Sequence, residues 1–105
     1  MTDAIVVLVT TPSAEVAASI ARALVEERLA ACGNVLPGVR SIYRWEGKVQ
    51  EEGEVLLLLK TQRKRFAELR DRVLALHPYE VPEVIALPVE AGSDAYLDWI
   101  AQAMY

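Results

Sequence analysis

Apolar positions along this chain change period from segment to segment, and each change marks an element. Ala4 to Thr10 is a continuous apolar and β-branched run without alternation. That is the pattern of a strand covered on both faces and central in a sheet. Thr11-Pro12-Ser13 supplies a hydroxyl cap and a proline that costs nothing in a first helical turn, with Glu15 near the positive end of the dipole. Val16, Ile20 and Leu24, beside Ala17 and Ala21, form one helical stripe. This helix is expected to stop near Leu29 or Ala30.

Cys32 to Trp45 reads as a second strand, bulged or bent at Pro37-Gly38 because proline cannot donate to a ladder. Glu46-Gly47 is a two-residue hairpin turn. The return strand starts polar, Lys48 to Glu54, and becomes the apolar run Val55 to Leu59. A strand from Cys32 to Trp45 would span about 45 Å. Its distal half, with Tyr43 and Trp45, is therefore expected to project past its own core and lie on a partner. The competing reading is a solvated arm.

Thr61 is expected to cap a second helix running to about Leu76, with Phe66, Leu69, Val73 and Leu76 inward and Arg63, Lys64, Arg65, Arg70 and Arg72 outward. Pro78 ends it and leaves His77 at its C-terminal edge. Val84 to Leu87 is a short strand, and Ser93 caps a last helix with Leu97, Ile100 and Met104 on one face. The order is β-α-β-β-α-β plus a terminal helix. It predicts an α+β, ferredoxin-like βαββαβ sandwich: one domain over residues 1–105, with a long central hairpin and helices on one face of a four-stranded antiparallel sheet.

Composition changes this picture in one respect. An apolar fraction of 53% and a mean hydropathy of +0.21 are high for 105 residues, so another copy of the chain is expected to cover apolar surface. A net charge of −4 and a pI near 5.0 speak against a general nucleic-acid binder. RNA-binding domains with the same element order need exposed aromatics on their central strands, and Val55 to Leu59 has none. No apolar run approaches the roughly 20 residues that span a bilayer. With Asp3 and no Lys or Arg ahead of the first apolar run, no secretory signal is expected. Cys32 is the single cysteine and cannot form an intrachain disulfide, so a cytoplasmic protein is expected.

The stretch His77-Pro78-Tyr79-Glu80-Val81-Pro82-Glu83 gathers the only histidine, two prolines and two carboxylates. Further distinctive words are Glu27-Arg28-Leu29-Ala30-Ala31-Cys32, Asn34, Pro37-Gly38, Ser41-Ile42-Tyr43-Arg44-Trp45-Glu46-Gly47-Lys48 and Leu58-Leu59-Lys60-Thr61, with a weaker Tyr96-Leu97-Asp98-Trp99. In this order, along nearly the whole chain, the sequence resembles the CutA family of divalent-cation tolerance proteins. Gly33 departs from the family pattern, which usually has a branched aliphatic residue there. The resemblance implies a ferredoxin-like protomer in a tight homotrimer, architecturally related to PII-type signalling proteins, with long hairpins wrapping neighbouring subunits. It also implies a role in tolerance of divalent metals, copper being the ion most often associated. It supplies no reaction.

Candidate chemistry divides into two readings. Cys32 and His77 are soft and borderline ligands suited to Cu(II) or another divalent cation, with Glu80 and Glu83 as added oxygen donors. One His and one Cys per chain cannot close a four-coordinate site, so a neighbouring copy would have to complete it. Otherwise Cys32 is a buried small hydrophobe and His77 a helix-end residue favoured by the dipole. The second reading is a small-molecule pocket at a subunit boundary. His77, Tyr79, Glu80 and Lys60, with Arg44 or Trp45 from a neighbour, would suit a small anion or metabolite. Against it stands an interface role for Tyr43, Trp45, Tyr79 and Glu83. A Cys–His pair also invites a nucleophile, but no third orienting group accompanies it, and the glycines form no phosphate-loop pattern. Neither a cofactor nor an enzyme is expected.

Overall fold

The computed structural model describes residues 2–105, so residue 1 of the expected domain lies outside the described residues. The elements run β1 (Ala4–Thr11), α1 (Ala14–Glu26), β2 (Cys32–Trp45), β3 (Lys48–Gln62), a 3-10 turn (Arg63–Arg65), α2 (Phe66–Leu76), β4 (Ile85–Pro88) and α3 (Asp94–Ala103). The sheet order is β2-β3-β1-β4 with every neighbouring pair antiparallel. This is the expected α+β, ferredoxin-like arrangement.

Register decides which side chains meet. Val7 faces Leu59 and Val9 faces Leu57 across β1 and β3, and all four are fully buried. They pack against Ile20 and Leu24 of α1 and Leu69 and Val73 of α2, each such side chain contributing about 1.5–3 kcal/mol by leaving water. Gly33 lies on this helix-covered face. A Cβ built there would sit 2.7 Å from the Ala21 Cβ, so the glycine lets α1 approach β2 closely. At the end of the sheet, Ile100 and Met104 of α3 close a smaller cluster over Ala4 and Ala31.

The Ser13 side chain accepts the Val16 N–H and caps α1, while Pro12 precedes the cap and does not enter the first turn. The helix ends at Glu26, earlier than the expected Leu29 or Ala30. Arg28 adopts φ 61°, with Leu29 N donating to Leu24 O at 2.9 Å and Arg28 N to Val25 O at 3.1 Å. That is a Schellman closure whose left-handed position is filled by Arg in place of Gly, with Leu29 folding back onto Leu24 in the core.

Thr61 caps no helix. β3 continues through Gln62, and the fully buried Thr61 hydroxyl donates to Leu29 O at 2.7 Å. Arg63–Arg65 form the 3-10 turn, and α2 begins at Phe66 without a side-chain cap. Leu76 is exposed and His77, one position on, is buried, because the chain leaves helical geometry there before Pro78. Ser93 stands at the start of α3, but its hydroxyl makes no capping bond. β4 is displaced by one residue from the expected Val84–Leu87.

The unbroken apolar run of β1 does not reflect cover on both faces within this chain. Val6, Leu8 and Thr10 alternate with the buried set and are only half-buried. Their partners on the same open face are Leu56, Leu58 and Lys60 of β3 and Ile85 and Leu87 of β4; Ile85 and Leu87 are each 50% exposed. The open face is apolar and no helix of this chain lies over its centre. Beyond the bulge between Leu36 and Val39, where Gly38 takes φ 86°, β2 and β3 continue alone as a two-stranded arm. Glu46 and Gly47 close the arm with φ of 50° and 79°, both left-handed as a type I′ turn requires. The arm gives the protein its elongated shape, 44 × 25 × 23 Å.

Candidate functional site

Hairpin pairing sets one wall of a groove. Ser41 lies opposite Glu52, Tyr43 opposite Gln50 and Trp45 opposite Lys48, so these side chains share the face that continues the open side of the sheet. The segment after α2 forms the other wall with Tyr79, Glu80, Val81 and Glu83, and Thr10 and Glu54 lie between them. The groove is open to solvent along one side and has a volume of ≈ 650 Å³. Four carboxylates line it, those of Glu52, Glu54, Glu80 and Glu83, and no Lys or Arg does.

His77 fixes the second wall. Its Nδ1 accepts the backbone N–H of Tyr79 at 3.1 Å, so the ring proton must be on Nε2, which lies 2.7 Å from Thr10 O. The neutral imidazole thus ties the end of α2 to β1, and its ring packs 4.6 Å from that of Tyr79. A metal ion at His77 would have to displace one of these two bonds. The Tyr79 hydroxyl in turn donates to Glu54 Oε2 at 2.7 Å. Burial first, then the bond to Glu54 and the charges of Glu54 and Glu52, push the Tyr79 phenol well above its ordinary pKa. Desolvation and then Glu52 and Glu54 push Tyr43 in the same direction.

Cys32 sits elsewhere. It pairs with Lys60 across β2 and β3, half-buried, its Sγ 3.7 Å from Asn34 Oδ1, which also accepts from Lys60 Nζ at 2.5 Å. Lys60 pairs with Val6, whereas Thr10, the anchor of His77, pairs with Leu56. Four residues along the strands separate the two places by about 13 Å.

Of the residues singled out in the sequence, the structure brings together Tyr43, Trp45, Tyr79, Glu80 and Glu83, with His77 behind Tyr79. Cys32 and Lys60 occupy the other end of the open face. Arg44 pairs with Val49 on the opposite face of the arm and reaches Gly47 O at 3.4 Å. Among the described residues, no group of three or more His, Cys, Asp or Glu has metal-holding geometry. Glu52 and Glu54 were missed by sequence reasoning. The alternation Gln50-x-Glu52-x-Glu54 carried the signal, since a period of two puts all three on one face opposite Tyr43 and Ser41 once the turn fixes the register.

Known proteins share this architecture and much of this sequence. The chain is 60% identical over 97 residues, 92% of its length and 94% of the relative's, to the divalent-cation tolerance protein CutA of Thermus thermophilus. It is 55% identical over 94 residues to the human protein CutA, a match covering 90% of this chain and only 52% of that longer relative. The solved structure of the periplasmic divalent cation tolerance protein CutA from Archaeoglobus fulgidus superposes with a TM-score of 0.94 at 40% identity, covering 97% of this chain and 99% of that one. The family model for the CutA1 divalent ion tolerance protein matches residues 5–103, and the chain belongs to that family.

Proposed function

We propose that this protein acts in divalent-cation tolerance as a non-enzymatic, cytoplasmic homotrimer that takes up copper or another divalent cation at sites completed between copies. The observation that supports this reading is the uncovered apolar sheet face of Val6, Leu8, Leu56, Leu58, Ile85 and Leu87, continuous with the arm that carries Tyr43 and Trp45. A surface of that kind on a small domain calls for a covering partner. Within one chain, Cys32 and Glu80 keep donor atoms available to an ion, whereas both ring nitrogens of His77 are engaged. In this reading His77 sets the position of the Glu80 segment and Cys32 supplies the soft donor.

Calorimetric titration of the assembled protein with Cu(II) tests the metal assignment. Cys32→Ser and Glu80→Gln are each expected to weaken binding. Unchanged affinity in both variants would remove these residues as ligands.

The groove supports a second reading, a PII-like module that binds a small molecule and regulates a partner. A volume of ≈ 650 Å³ with aromatic and charged walls falls within the roughly 300–1,000 Å³ of small-molecule sites. A thermal-shift screen separates the two: metal salts alone raising Tm would favour the first reading, organic ligands alone the second.

A further inference from the structure

We propose that His77 is an acid-operated latch: a second proton on its ring releases the Tyr79–Glu83 segment from the core and, with it, the hold on the root of the arm.

The latch is a chain of contacts from β1 to the arm. The Nε2–H of His77 donates to Thr10 O at 2.7 Å, Nδ1 accepts the Tyr79 N–H at 3.1 Å, and the two rings pack 4.6 Å apart. The Tyr79 hydroxyl then donates to Glu54 at 2.7 Å. Glu54 pairs with Val39 immediately beyond the bulge, so this last bond grips the first rung of the arm.

Only one protonation state fits. His77 is 7% exposed, and Nδ1 must be bare to accept from Tyr79. A proton added there would set two N–H groups against each other at 3.1 Å. The bond is then lost, and a buried donor needs a new acceptor. Nε2 keeps its proton, so the bond to Thr10 survives. Movement therefore falls on the segment beyond Pro78, which has already left helical geometry. Both nitrogens being spent, the ring is a latch and not a ligand.

Burial opposes a charge on the ring, and its surroundings favour one. His77 stands at the C-terminal cap of α2, where the last carbonyls attract a cation. β1 brings only the uncharged residues Ala4 to Thr11, and the turn that follows it, Pro12-Ser13, is uncharged too. β3 brings Glu54 behind Tyr79, with Glu52 beyond it, and the segment itself carries Glu80 and Glu83. No Lys or Arg lines the groove beside them.

His77 is the only histidine in the chain, so its charge can be followed without ambiguity. Histidine ordinarily changes charge between about pH 5 and 8. Nuclear magnetic resonance of the assembled protein at these two values tests the latch. Ring 15N shifts report the proton on each nitrogen, and amide exchange, corrected for its intrinsic pH dependence, reports the segment. At pH 5 Nδ1 is expected to carry a proton, and protection of the Tyr79 amide to fall at least about tenfold, the order of one hydrogen bond. The amides of Val7 and Val9 in β1 are expected to keep theirs. His77→Asn offers an oxygen near the place of Nδ1 and cannot take up charge, so Tyr79 should be equally protected at both pH values. Glu54→Gln removes the nearest carboxylate and leaves the ring, so the loss at pH 5 should persist; this variant serves if His77→Asn fails to fold.

A ring that stays singly protonated at pH 5 overturns the proposal. So does a doubly protonated ring with Tyr79 as well protected as at pH 8. An equal loss of protection in His77→Asn, or none in Glu54→Gln, moves the effect to the carboxylates and likewise overturns it.

Discussion

The two halves of β3 are one continuous strand in two different environments. From Val55 to Thr61 its odd-numbered residues are buried beneath α1 and α2, and its even-numbered ones lie half-buried on the open face. From Lys48 to Gly53 every residue except Gln50 is exposed, although the ladder to β2 continues without interruption apart from the bulge. Backbone pairing therefore builds the strand throughout, but apolar burial within this chain anchors only its second half. A lone two-stranded ribbon is marginal in water. In the proposed assembly, neighbouring copies would supply the apolar cover that this ribbon lacks within its own chain.

The contrast can be tested by mutating each half. Leu57→Ala, at a fully buried position, is expected to cost about 3 kcal/mol in urea unfolding through lost burial and the cavity left behind. A loss below about 1 kcal/mol would mean that the anchored half is not anchored by its core. Thr61→Val removes the hydroxyl bonded to Leu29 O and leaves a buried carbonyl without its donor. A cost of about 1–3 kcal/mol is expected, with Tm as the readout.

At the root of the arm, Tyr79→Phe removes the bond to Glu54 and is expected to cost about 1 kcal/mol at neutral pH. The pH dependence follows from the direction of the shift. The folded phenol titrates above its ordinary value of 10.0, so its contribution is complete below that pH and is lost as pH rises above it. Alkaline titration of stability should therefore fall more steeply for the wild type than for Tyr79→Phe. Identical slopes would show that Tyr79 carries no such linkage. Last, Gly47→Ala places a side chain at φ 79° and is expected to cost about 1 kcal/mol. Hydrogen exchange should quicken in the arm and not in β1. Equal quickening in both would make arm and core one cooperative unit.

Much of this was legible in the sequence because the signals are local. The apolar run of β1, the Glu46-Gly47 turn, the bulge at Pro37-Gly38 and the stripe of α1 each depend on neighbours a few residues away. What escaped depends on pairing. Thr61 resembles a helix cap by its position before a helical pattern, yet it faces Ile5 in the sheet and finds Leu29 in the core. The end of α1 carries no glycine, so the left-handed turn at Arg28 had no composition to announce it. Glu52 and Glu54 read as the polar start of a strand. Only the hairpin register and the fold-back of Tyr79 make them one wall of a groove. Cys32 and His77 each lie beside a strand end, and spacing along the chain could not tell which ends the sheet would bring together.

The proposed cover of the open sheet face and the arm by other copies of this chain is tested most directly by sedimentation equilibrium. At micromolar concentration the account predicts a mass of three times the 11.6 kDa of one chain, falling toward a single chain when Leu8→Glu places a charge in the middle of the open face. A wild-type mass of 11.6 kDa would contradict it.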